Sequence, residues 1–282
     1  MKLKPLAKAA LKYLVLGCIL VFVLLPIFWM VLLSLKSRIQ TIVYPPTLDI
    51  GGLAVFIKNY GDILLVRQGG YWRLLLNSAV IAVASISLGF LLAVPAAYAY
   101  SRFNFRHKDA VALTILSAYF LPAMSIAIPI YLIMSRFHLL DTYTGLVIPY
   151  VAMNIPFIFW MMMGFFAETP TDLDEAAMVD GCTRLSAFRR VILPLVKPGL
   201  VATAIFCAIF TWNEFMMALF IVSTPASATV TVGATGLLSG ERPTDWEAMA
   251  TAGTILTLPL LAFALVVQKH IVRGLTLGAV KG

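Results

Sequence analysis

Six long apolar stretches divide the sequence, and they constrain its fold more than any other feature. A helix needs about 20 predominantly apolar residues to cross the hydrocarbon of a bilayer, where every backbone polar group must be satisfied internally. Composition agrees, because 61% of the 282 residues are hydrophobic and 12% are charged, against about a quarter charged in soluble domains. The sequence therefore predicts an all-α integral membrane protein with transmembrane helices at about 13–35, 74–100, 110–135, 146–166, 200–222 and 249–267.

The segments between these stretches are too short to build an independent soluble core, so we predict a single transmembrane domain over residues 1–282. The longest of them, 36–73, contains Pro45-Pro46, Gly51-Gly52 and Gly69-Gly70. Turn signals at this density exclude a long regular element. We expect short helical pieces there, lying on the outer face of the membrane.

The basic residues indicate how the chain is oriented in the membrane. An even number of spans places both termini on one side. With that side in the cytoplasm, the inner segments hold fourteen of the 21 Lys and Arg residues and the outer loops hold seven, as the positive-inside rule requires. We expect both termini, and the loop between the fourth and fifth spans, in the cytoplasm. Since these residues gather at the ends of apolar stretches, the net charge of +8 reflects topology, and nucleic acid is not an expected partner.

A polar loop at about 168–199, between predicted spans four and five, begins with the pattern of a short helix. Thr171 can cap that helix, with Asp174 three residues later reaching back to form a capping box. Acidic residues crowd its first turn, where the helix dipole favours negative charge. A helix should therefore begin near Asp172.

The second half of this loop has the pattern of a tight turn and another helix. Gly181 permits a turn with φ above zero, and Thr183 can cap a second helix. Pro194 is expected to end or kink that helix. The helix is predicted to be amphipathic, with arginines in the other directions. Its apolar face comprises Leu185, Phe188, Ile192 and Leu195.

One composite pattern in this loop resembles a known family. Glu175-Ala176-Ala177 is followed at fixed spacing by Gly181, Val191 and Leu193-Pro194, which is similar to the EAA loop of permease subunits of bacterial ABC importers. Val191 stands where the family commonly has Ile, a conservative departure. The alternative is an interfacial amphipathic loop without a partner. The resemblance implies contact with an ATPase through Glu175, Ala176, Ala177, Asp180, Gly181, Arg184, Phe188, Leu193 and Pro194. For Glu175, stabilisation of its own helix is an equally open role.

Further motifs resemble the carbohydrate-uptake, maltose-type branch of these permeases over nearly the whole chain. They are Asn77-Ser78, Ala96-Ala97-Tyr98-Ala99 leading to Arg102, Leu140-Asp141-Thr142, Trp212-Asn213-Glu214 and the closing segment 274–282. The resemblance implies one of two homologous permease subunits in a bacterial inner membrane, working with two ATPase subunits and an extracytoplasmic sugar-binding protein. A sugar or oligosaccharide is the implied substrate, and a polyol or glycerol phosphate is the alternative.

The residues exclude the commoner kinds of catalysis by this chain. No Gly-rich run ends in Gly-Lys-Ser/Thr, so the chain lacks a Walker A phosphate cradle. We therefore expect ATP and Mg²⁺ on the partner ATPase subunits and no cofactor on this chain. His107, His138 and His270 have no metal-ligand spacing, so neither an enzyme nor a metal site is expected.

Glu214 is the one acidic residue within a predicted span, where an ionised carboxylate costs at least roughly 2–3 kcal/mol without water or a partner. We interpret Asn213 and Glu214, with Trp212 as a stacking wall, as lining of the substrate pathway, because sugars offer hydroxyls and an apolar ring face. Residues 100° apart on a helix cannot all face one cavity, so Asn213 and Glu214 are favoured. Two alternatives are polar bonds that hold two permeases together and a glutamate that reaches the outer surface.

Two other function classes compete with the importer. A secondary transporter driven by an ion gradient usually needs ionisable groups along its pathway, and only Glu214 qualifies. A membrane scaffold has no need of a capped helix-turn-helix on one loop. A co-purifying Walker-motif ATPase would support the importer, whereas proton- or sodium-driven uptake by the chain alone would support the secondary transporter.

Overall fold

The computed structural model of the chain describes residues 5–237 and 245–278, and all of the regular structure in these residues is helical. The all-α prediction is confirmed. Two π-helical turns, Asp62–Val66 and Phe188–Ile192, and one 3-10 turn, Arg67–Gly69, interrupt the α-helices. The α-helices are α1 (Pro5–Ser34), α2 (Arg38–Ile42), α3 (Gly52–Gly61), α4 (Tyr71–Arg102), α5 (Lys108–Tyr119), α6 (Ala123–Arg136), α7 (Tyr143–Glu168), α8 (Asp172–Val179), α9 (Arg184–Ala187), α10 (Leu193–Leu195), α11 (Lys197–Asn213), α12 (Met216–Ile221), α13 (Val230–Thr235) and α14 (Trp246–Gly278). The end of the closing motif, 279–282, lies outside the described residues.

Four helices are long and apolar enough to cross a membrane, and two bent helix pairs raise the number to as many as six. The four are Lys8–Ser34, Tyr71–Arg102, Tyr143–Glu168 and Trp246–Leu265. They coincide with the predicted first, second, fourth and sixth spans, with ends that differ by up to five residues. The pair Lys108–Tyr119 and Ala123–Arg136 stands where the third span was predicted, whereas the pair Arg184–Leu195 and Lys197–Asn213 overlaps the predicted fifth span only over residues 200–213.

The predicted third span, 110–135, is not one straight helix. The axes of α5 and α6 differ by 92° across a break at 120–122. Pro122, with φ −60° and ψ 128°, has no N–H to donate and disfavours a helical conformation in the residue before it. The helix therefore ends before Pro122 and restarts at Ala123.

The predicted fifth span, 200–222, is also wrong as a single helix. Its helix α11 starts three residues earlier and ends at Asn213, and Glu214 is extended, with φ −65° and ψ 128°. The chain resumes as α12 at Met216. On the other side of α11, the chain bends by 75°, because Pro198 in the first turn suits the start of a helix and not its continuation.

The chain forms two compact units, Met1–Trp72 with Ala234–Leu258 and Arg73–Gly233 with Pro259–Gly282. The single-domain description stays a prediction. Short helical pieces occupy much of the predicted outer loop, as expected, over residues 38–69 of the first unit, and the end of that loop, 71–73, is the start of α4. Asn59 caps the C-terminal end of α1, because its side-chain amide donates hydrogen bonds of 2.9 Å to the backbone oxygens of Ser34 and Lys36.

The second unit is built around α7, which is apolar on nearly all sides and therefore buries half of its length. It packs against α5 and α11. At the contact with α11, a Cβ added to Gly199 would lie 2.5 Å from the ring of Phe165, so this close approach requires glycine, as is common between membrane helices. The core includes Ala97, Ile158, Phe159, Met162, Phe166, Phe188, Ile192 and Cys207.

Candidate functional site

The loop at 168–199 folds as predicted into helix, turn and helix. The first helix is α8, the chain turns at Gly181 with φ +88°, and a second helical segment runs over Arg184–Leu195. A residue with a Cβ rarely adopts such a φ, so the turn depends on glycine. The Thr183 hydroxyl caps the second segment, as predicted, by accepting a hydrogen bond of 3.3 Å from the Ser186 amide.

The predicted capping box at the start of α8 is wrong. Thr171 has helical backbone angles, φ −66° and ψ −28°, and its side chain caps no amide. Asp174 does not reach back, because its two carboxylate oxygens accept hydrogen bonds from Arg102 and Tyr98. A charge-assisted bond to a guanidinium is about twice as strong as a neutral one, so the ion pair replaces the cap.

Arg102, at the end of α4, joins three helix ends. Its Nε donates to Oδ2 of Asp174 at 2.7 Å, and its two terminal nitrogens donate to the backbone oxygens of Phe166 at 3.1 Å and Thr169 at 2.9 Å. Both oxygens lie at the C-terminal end of α7, where the helix dipole favours a cation. The side chains of Arg102 and Asp174 are only 6% and 11% exposed. Arg102 therefore ties α8 to the ends of α4 and α7.

Three aromatic rings extend this connection within the second unit. The Tyr98 ring lies 4.5 Å from the Phe188 ring and 5.6 Å from the Phe166 ring, centroid to centroid. The Tyr98 hydroxyl also donates to Oδ1 of Asp174 at 2.5 Å. Aromatic pairs in this range contribute packing beyond their buried area. The helical segment 184–195 is thereby packed directly on α4 and α7.

The structure divides the predicted coupling residues into a buried and an exposed group. Ala177 and Phe188 are each 6% exposed, and Leu193 is half-buried. The sequence did not single out Val179, whose side chain is 87% exposed beside the turn; its only signal was an apolar residue next to Asp180. We call Glu175, Ala176, Val179, Asp180 and Gly181 the loop tip. The remaining exposed members of the predicted set are Arg184 and Pro194.

The predicted apolar face of the second helix is only half correct. Phe188 and Ile192 are buried, but Leu185 and Leu195 are 58% and 53% exposed. For Leu195, which follows it, the cause is the π-helical turn Phe188–Ile192, which places an extra residue in one turn. A π turn shifts the residues after it out of the α-helical period on which the prediction rested.

Glu214 lies at the break between α11 and α12, where it caps the second of these helices. Its Oε1 accepts a hydrogen bond of 2.8 Å from the Met217 amide, and its Oε2 accepts one of 3.2 Å from the Ala218 amide. The Tyr150 hydroxyl donates to the same Oε2 at 2.6 Å. The carboxylate therefore satisfies the amides that the break leaves unpaired.

Glu214 also lines a cavity of about 360 Å³ in the second unit. Beside it, the Asn154 amide donates to the Thr211 hydroxyl at 3.0 Å. The lining therefore combines polar groups with aromatic and aliphatic side chains. The cavity is lined by Tyr119, Leu121, Ala123, Tyr150, Met153, Asn154, Phe157, Phe210, Thr211 and Glu214.

The structure does not bring Trp212 and Asn213 into this cavity. The Trp212 ring is 6% exposed and packs edge-on against Phe263 at 6.3 Å, so a substrate cannot stack on it in this conformation. Asn213 is exposed, and its amide donates to the backbone oxygen of Ile209 at 2.8 Å. Sequence reasoning missed Tyr150 and Asn154, whose only signal was a polar side chain within an apolar span.

The motifs Asn77-Ser78 and Leu140-Asp141-Thr142, to which the sequence analysis assigned no role, hold the segment 222–230 in place. The Asn77 amide donates to the backbone oxygens of Ala226 at 3.1 Å and Ala228 at 2.9 Å. The Ser78 hydroxyl accepts a hydrogen bond of 2.9 Å from the Val230 amide. This part of the chain between α12 and α13 is therefore fixed to α4.

Asp141 holds the same segment from the other side. Its carboxylate accepts hydrogen bonds from the Ser227 hydroxyl at 2.5 Å, from the Thr224 hydroxyl at 2.6 Å and from the amides of Thr224 and Ser223 at 3.0 and 3.1 Å. Partial burial by itself raises the pKa of Asp141, but these hydrogen bonds outweigh it and lower the pKa to about 2. The carboxylate is therefore ionised at neutral pH.

Several known proteins are similar to this chain over nearly its full length. The sulfoquinovosyl glycerol transport system permease protein of Agrobacterium fabrum is 32% identical over 96% of this chain and 94% of its own. The trehalose transport system permease protein of Mycobacterium tuberculosis is 36% identical over 93% of each chain. A chain in the crystal structure of a bacterial ABC transporter involved in import of the acidic polysaccharide alginate has a TM-score of 0.79 at 22% identity, covering 95% of this chain and 99% of that one.

The structural match establishes the fold, and the sequence matches establish the family. Both relatives exceed 30% identity over nearly all of the chain. The family model described as binding-protein-dependent transport system inner membrane component matches residues 85–277, which include α7, the loop 168–199 and α11. The chain is a multi-pass membrane protein and belongs to this family of binding-protein-dependent transport system inner membrane components.

Proposed function

We propose that this chain is one of two permease subunits of an ATP-driven importer that carries a sugar or oligosaccharide across the cytoplasmic membrane. The substrates in the names of its relatives, trehalose and sulfoquinovosyl glycerol, support a carbohydrate, and the motif resemblance supports the same class. The remaining parts of the importer are a second homologous permease, two ATPase subunits that hold ATP and Mg²⁺, and an extracytoplasmic binding protein. No nucleic acid is involved.

The observation that carries this proposal is the arrangement of the loop 168–199. Its loop tip is exposed and combines two acidic groups with the apolar side chain of Val179. Exposed apolar groups rimmed by polar ones are typical of protein contact sites. We infer that the loop tip docks on an ATPase subunit and that Glu175 contributes a charged contact there.

Buried contacts connect the loop 168–199 directly to the spans α4 and α7, so a movement of the loop tip would be transmitted to them. Arg102 holds Asp174 of α8 while donating to the carbonyl end of α7. Phe188 packs on Tyr98 of α4 from the other half of the loop. Closure of the ATPase subunits would move both halves together, and α4 and α7 would follow. In this scheme, the predicted coupling residues act in two ways, by contact at the loop tip and by internal packing at Ala177 and Phe188.

We further propose that the cavity bordered by Glu214 is part of the substrate pathway. Tyr150, Asn154, Thr211 and Glu214 supply donors and acceptors for hydroxyl groups, and the aromatic residues in the same lining suit an apolar sugar face. Asn213 does not line this cavity, but it is exposed on the adjoining turn and stays part of the proposed pathway outside the cavity. Trp212 would join only in a conformation that uncovers its ring.

Reconstitution tests the whole proposal. The chain would be co-expressed with its neighbouring permease and ATPase genes, purified and placed in liposomes with its binding protein. We expect accumulation of a radiolabelled disaccharide that requires ATP and the binding protein together. Uptake that follows a proton or sodium gradient without ATP would contradict the proposal, as would retention of the chain without any ATPase under gentle purification.

A further inference from the structure

A groove of about 560 Å³ lies between α4 and the helical segment 184–195, both in the second unit. Its volume falls within the range of about 300–1,000 Å³ that is typical of small-molecule sites. One wall is the face of α4 that carries Phe90, Leu91 and Val94. The other wall carries Leu185 and Leu193 of the segment 184–195.

This groove combines apolar walls with two cations at one edge. Arg184 and Arg189 line it, and no acidic residue does. Among the described residues, neither arginine has a carboxylate within 4.0 Å, and both are exposed; Arg184 lies over the Phe103 ring at 5.1 Å. Tyr98, which lines the groove, donates to Asp174, and that carboxylate is already paired with Arg102. The site therefore suits a ligand with an apolar part and a negative charge.

The direction of the helices places the two arginines at a defined depth. The segment 184–195 is bent by 75° from α11, which has no charged residue between Lys197 and its end at Asn213. If α11 crosses the bilayer, a segment at this angle lies close to the plane of the membrane surface. Arg184 and Arg189 then stand at the level of the phospholipid headgroups, with the groove extending along α4 toward the hydrocarbon.

We propose that this groove is a binding site for an anionic phospholipid. One acyl chain lies between α4 and the segment 184–195, and the phosphate accepts hydrogen bonds from the guanidinium groups of Arg184 and Arg189. Guanidinium binds phosphate in a bidentate manner, and basic pockets between membrane helices recognise acidic headgroups. A bound lipid would brace the same segment that packs through Phe188 on Tyr98.

Lipid binding to the intact assembly tests the headgroup part of this proposal. The full-length chain would be purified with its natural partner subunits, and native mass spectrometry would measure retention of phosphatidylglycerol against phosphatidylcholine from mixed micelles. Each basic residue near a membrane surface strengthens acidic-lipid binding by roughly fivefold. The double change Arg184→Gln and Arg189→Gln should therefore weaken phosphatidylglycerol binding by about tenfold or more. Phosphatidylcholine binding should not change.

The matched control removes the same net charge outside the groove. Arg106 and Arg190 are exposed and do not line it, so Arg106→Gln with Arg190→Gln should leave phosphatidylglycerol binding within about twofold. Equal losses in both double variants would overturn the proposal, because a general charge effect would then explain the binding. If the first double variant does not assemble, Arg189→Gln alone gives the same comparison against Arg190→Gln.

A second pair of variants tests the acyl-chain part. Ser87 is exposed on the groove wall, so Ser87→Trp should fill the groove and weaken phosphatidylglycerol binding, whereas Leu88→Trp on the neighbouring surface should not. A photo-crosslinker at Leu91 should label lipid. Phosphatidylglycerol binding that survives Ser87→Trp unchanged would overturn the proposal, and so would crosslinking of Leu91 to a partner protein instead of lipid.

Discussion

Asp174, in the first turn of α8, lies 2.7 Å from the Nε of Arg102, the last residue of α4. The two residues are 72 positions apart in the sequence. Their ion pair is nearly excluded from water, and together with the packing of Phe188 on Tyr98 it fixes the loop 168–199 to α4 and α7. Removal of one partner leaves the other charge buried without compensation, which typically costs about 3–5 kcal/mol.

We therefore expect Arg102→Gln to lower the apparent melting temperature of the purified assembly and to reduce transport by about tenfold or more. Tyr98→Phe removes only the hydroxyl bond to Asp174 and should have a smaller effect on both. Arg106→Gln is the matched control, because Arg106 is exposed and has no ion pair among the described residues. Wild-type stability and transport in Arg102→Gln would contradict the role assigned to this ion pair.

The turn at Gly181 should tolerate substitutions according to their backbone preferences. Gly181→Val places a β-branched residue at φ +88°, a conformation that costs such a residue more than about 1 kcal/mol, and should uncouple ATP hydrolysis from transport while the spans stay inserted. Gly181→Asn should retain most transport, since asparagine visits positive φ more readily. The measurement is substrate transported per ATP hydrolysed in liposomes. A wild-type ratio in a fully assembled Gly181→Val importer would refute the coupling role.

Changes at the break in the fifth span should separate transport from assembly. Glu214→Gln keeps one acceptor oxygen and should preserve assembly, but we expect it to change the KM or the maximal rate of sugar uptake severalfold, since a hydrogen bond to a charged group contributes about 1 kcal/mol more than a neutral one. Asn213→Ala should alter uptake less. Glu214→Ala removes the cap on α12 as well and should lower stability. Unchanged uptake in both Glu214→Gln and Asn213→Ala, with the importer intact, would remove these residues from the pathway.

Cys182 reports the orientation of the loop 168–199. It is partly exposed, whereas Cys207 is buried and Cys18 lies in α1. An impermeant thiol reagent should leave Cys182 unlabelled in intact spheroplasts and label it in inverted membrane vesicles. Cys182→Ser is the control for labelling elsewhere. Labelling of Cys182 from outside the cell would reverse the proposed topology.

The contribution of Asp141 to stability should depend on pH in a predictable direction. Its folded pKa of about 2 is below the ordinary value of about 3.9, so its hydrogen bonds stabilise the fold at pH values above the unfolded pKa. That stabilisation is lost as the pH falls from about 4 to about 2. Asp141→Asn should therefore lower the melting temperature at pH 7 and by a smaller amount at pH 3. Asp172 is exposed, so Asp172→Asn is the comparison. If Asp141→Asn lowered the melting temperature equally at pH 7 and pH 3, the hydrogen bonds of the Asp141 carboxylate would not explain the loss of stability.

Much of the architecture followed from the sequence because hydropathy and turn chemistry act locally. Gly181 and Thr183 determine a turn and a cap within a few residues, and both took the predicted roles. The long apolar stretches predicted the positions of the spans for the same reason, because hydropathy is a local property. The dense turn signals of the segment 36–73 predicted its short helical pieces.

The errors arose where a distant partner or a change of helical period decided the outcome. Asp174 left its expected capping role because Arg102, far away in sequence, offered a charged partner. Pro122 and Glu214 broke two apolar stretches that hydropathy alone treats as continuous. The lining residues Tyr150 and Asn154 could not be assigned, because only packing of α7 beside α11 brings them to Glu214 and Thr211.

The π-helical turn Phe188–Ile192 has a consequence for engineering chimeric importers. Twelve residues separate Thr183 from Val196, and the extra residue in that turn rotates the part after it by about 100° relative to a regular α-helix. A donor loop of the same length wound as a plain α-helix would turn the residues after Phe188 away from their contacts in the core, whereas a donor one residue shorter that lacks the π turn would keep them in place. Exchange of this loop between related permeases should therefore succeed when the donor has both the same number of residues and the π turn, or when it lacks both the π turn and one residue.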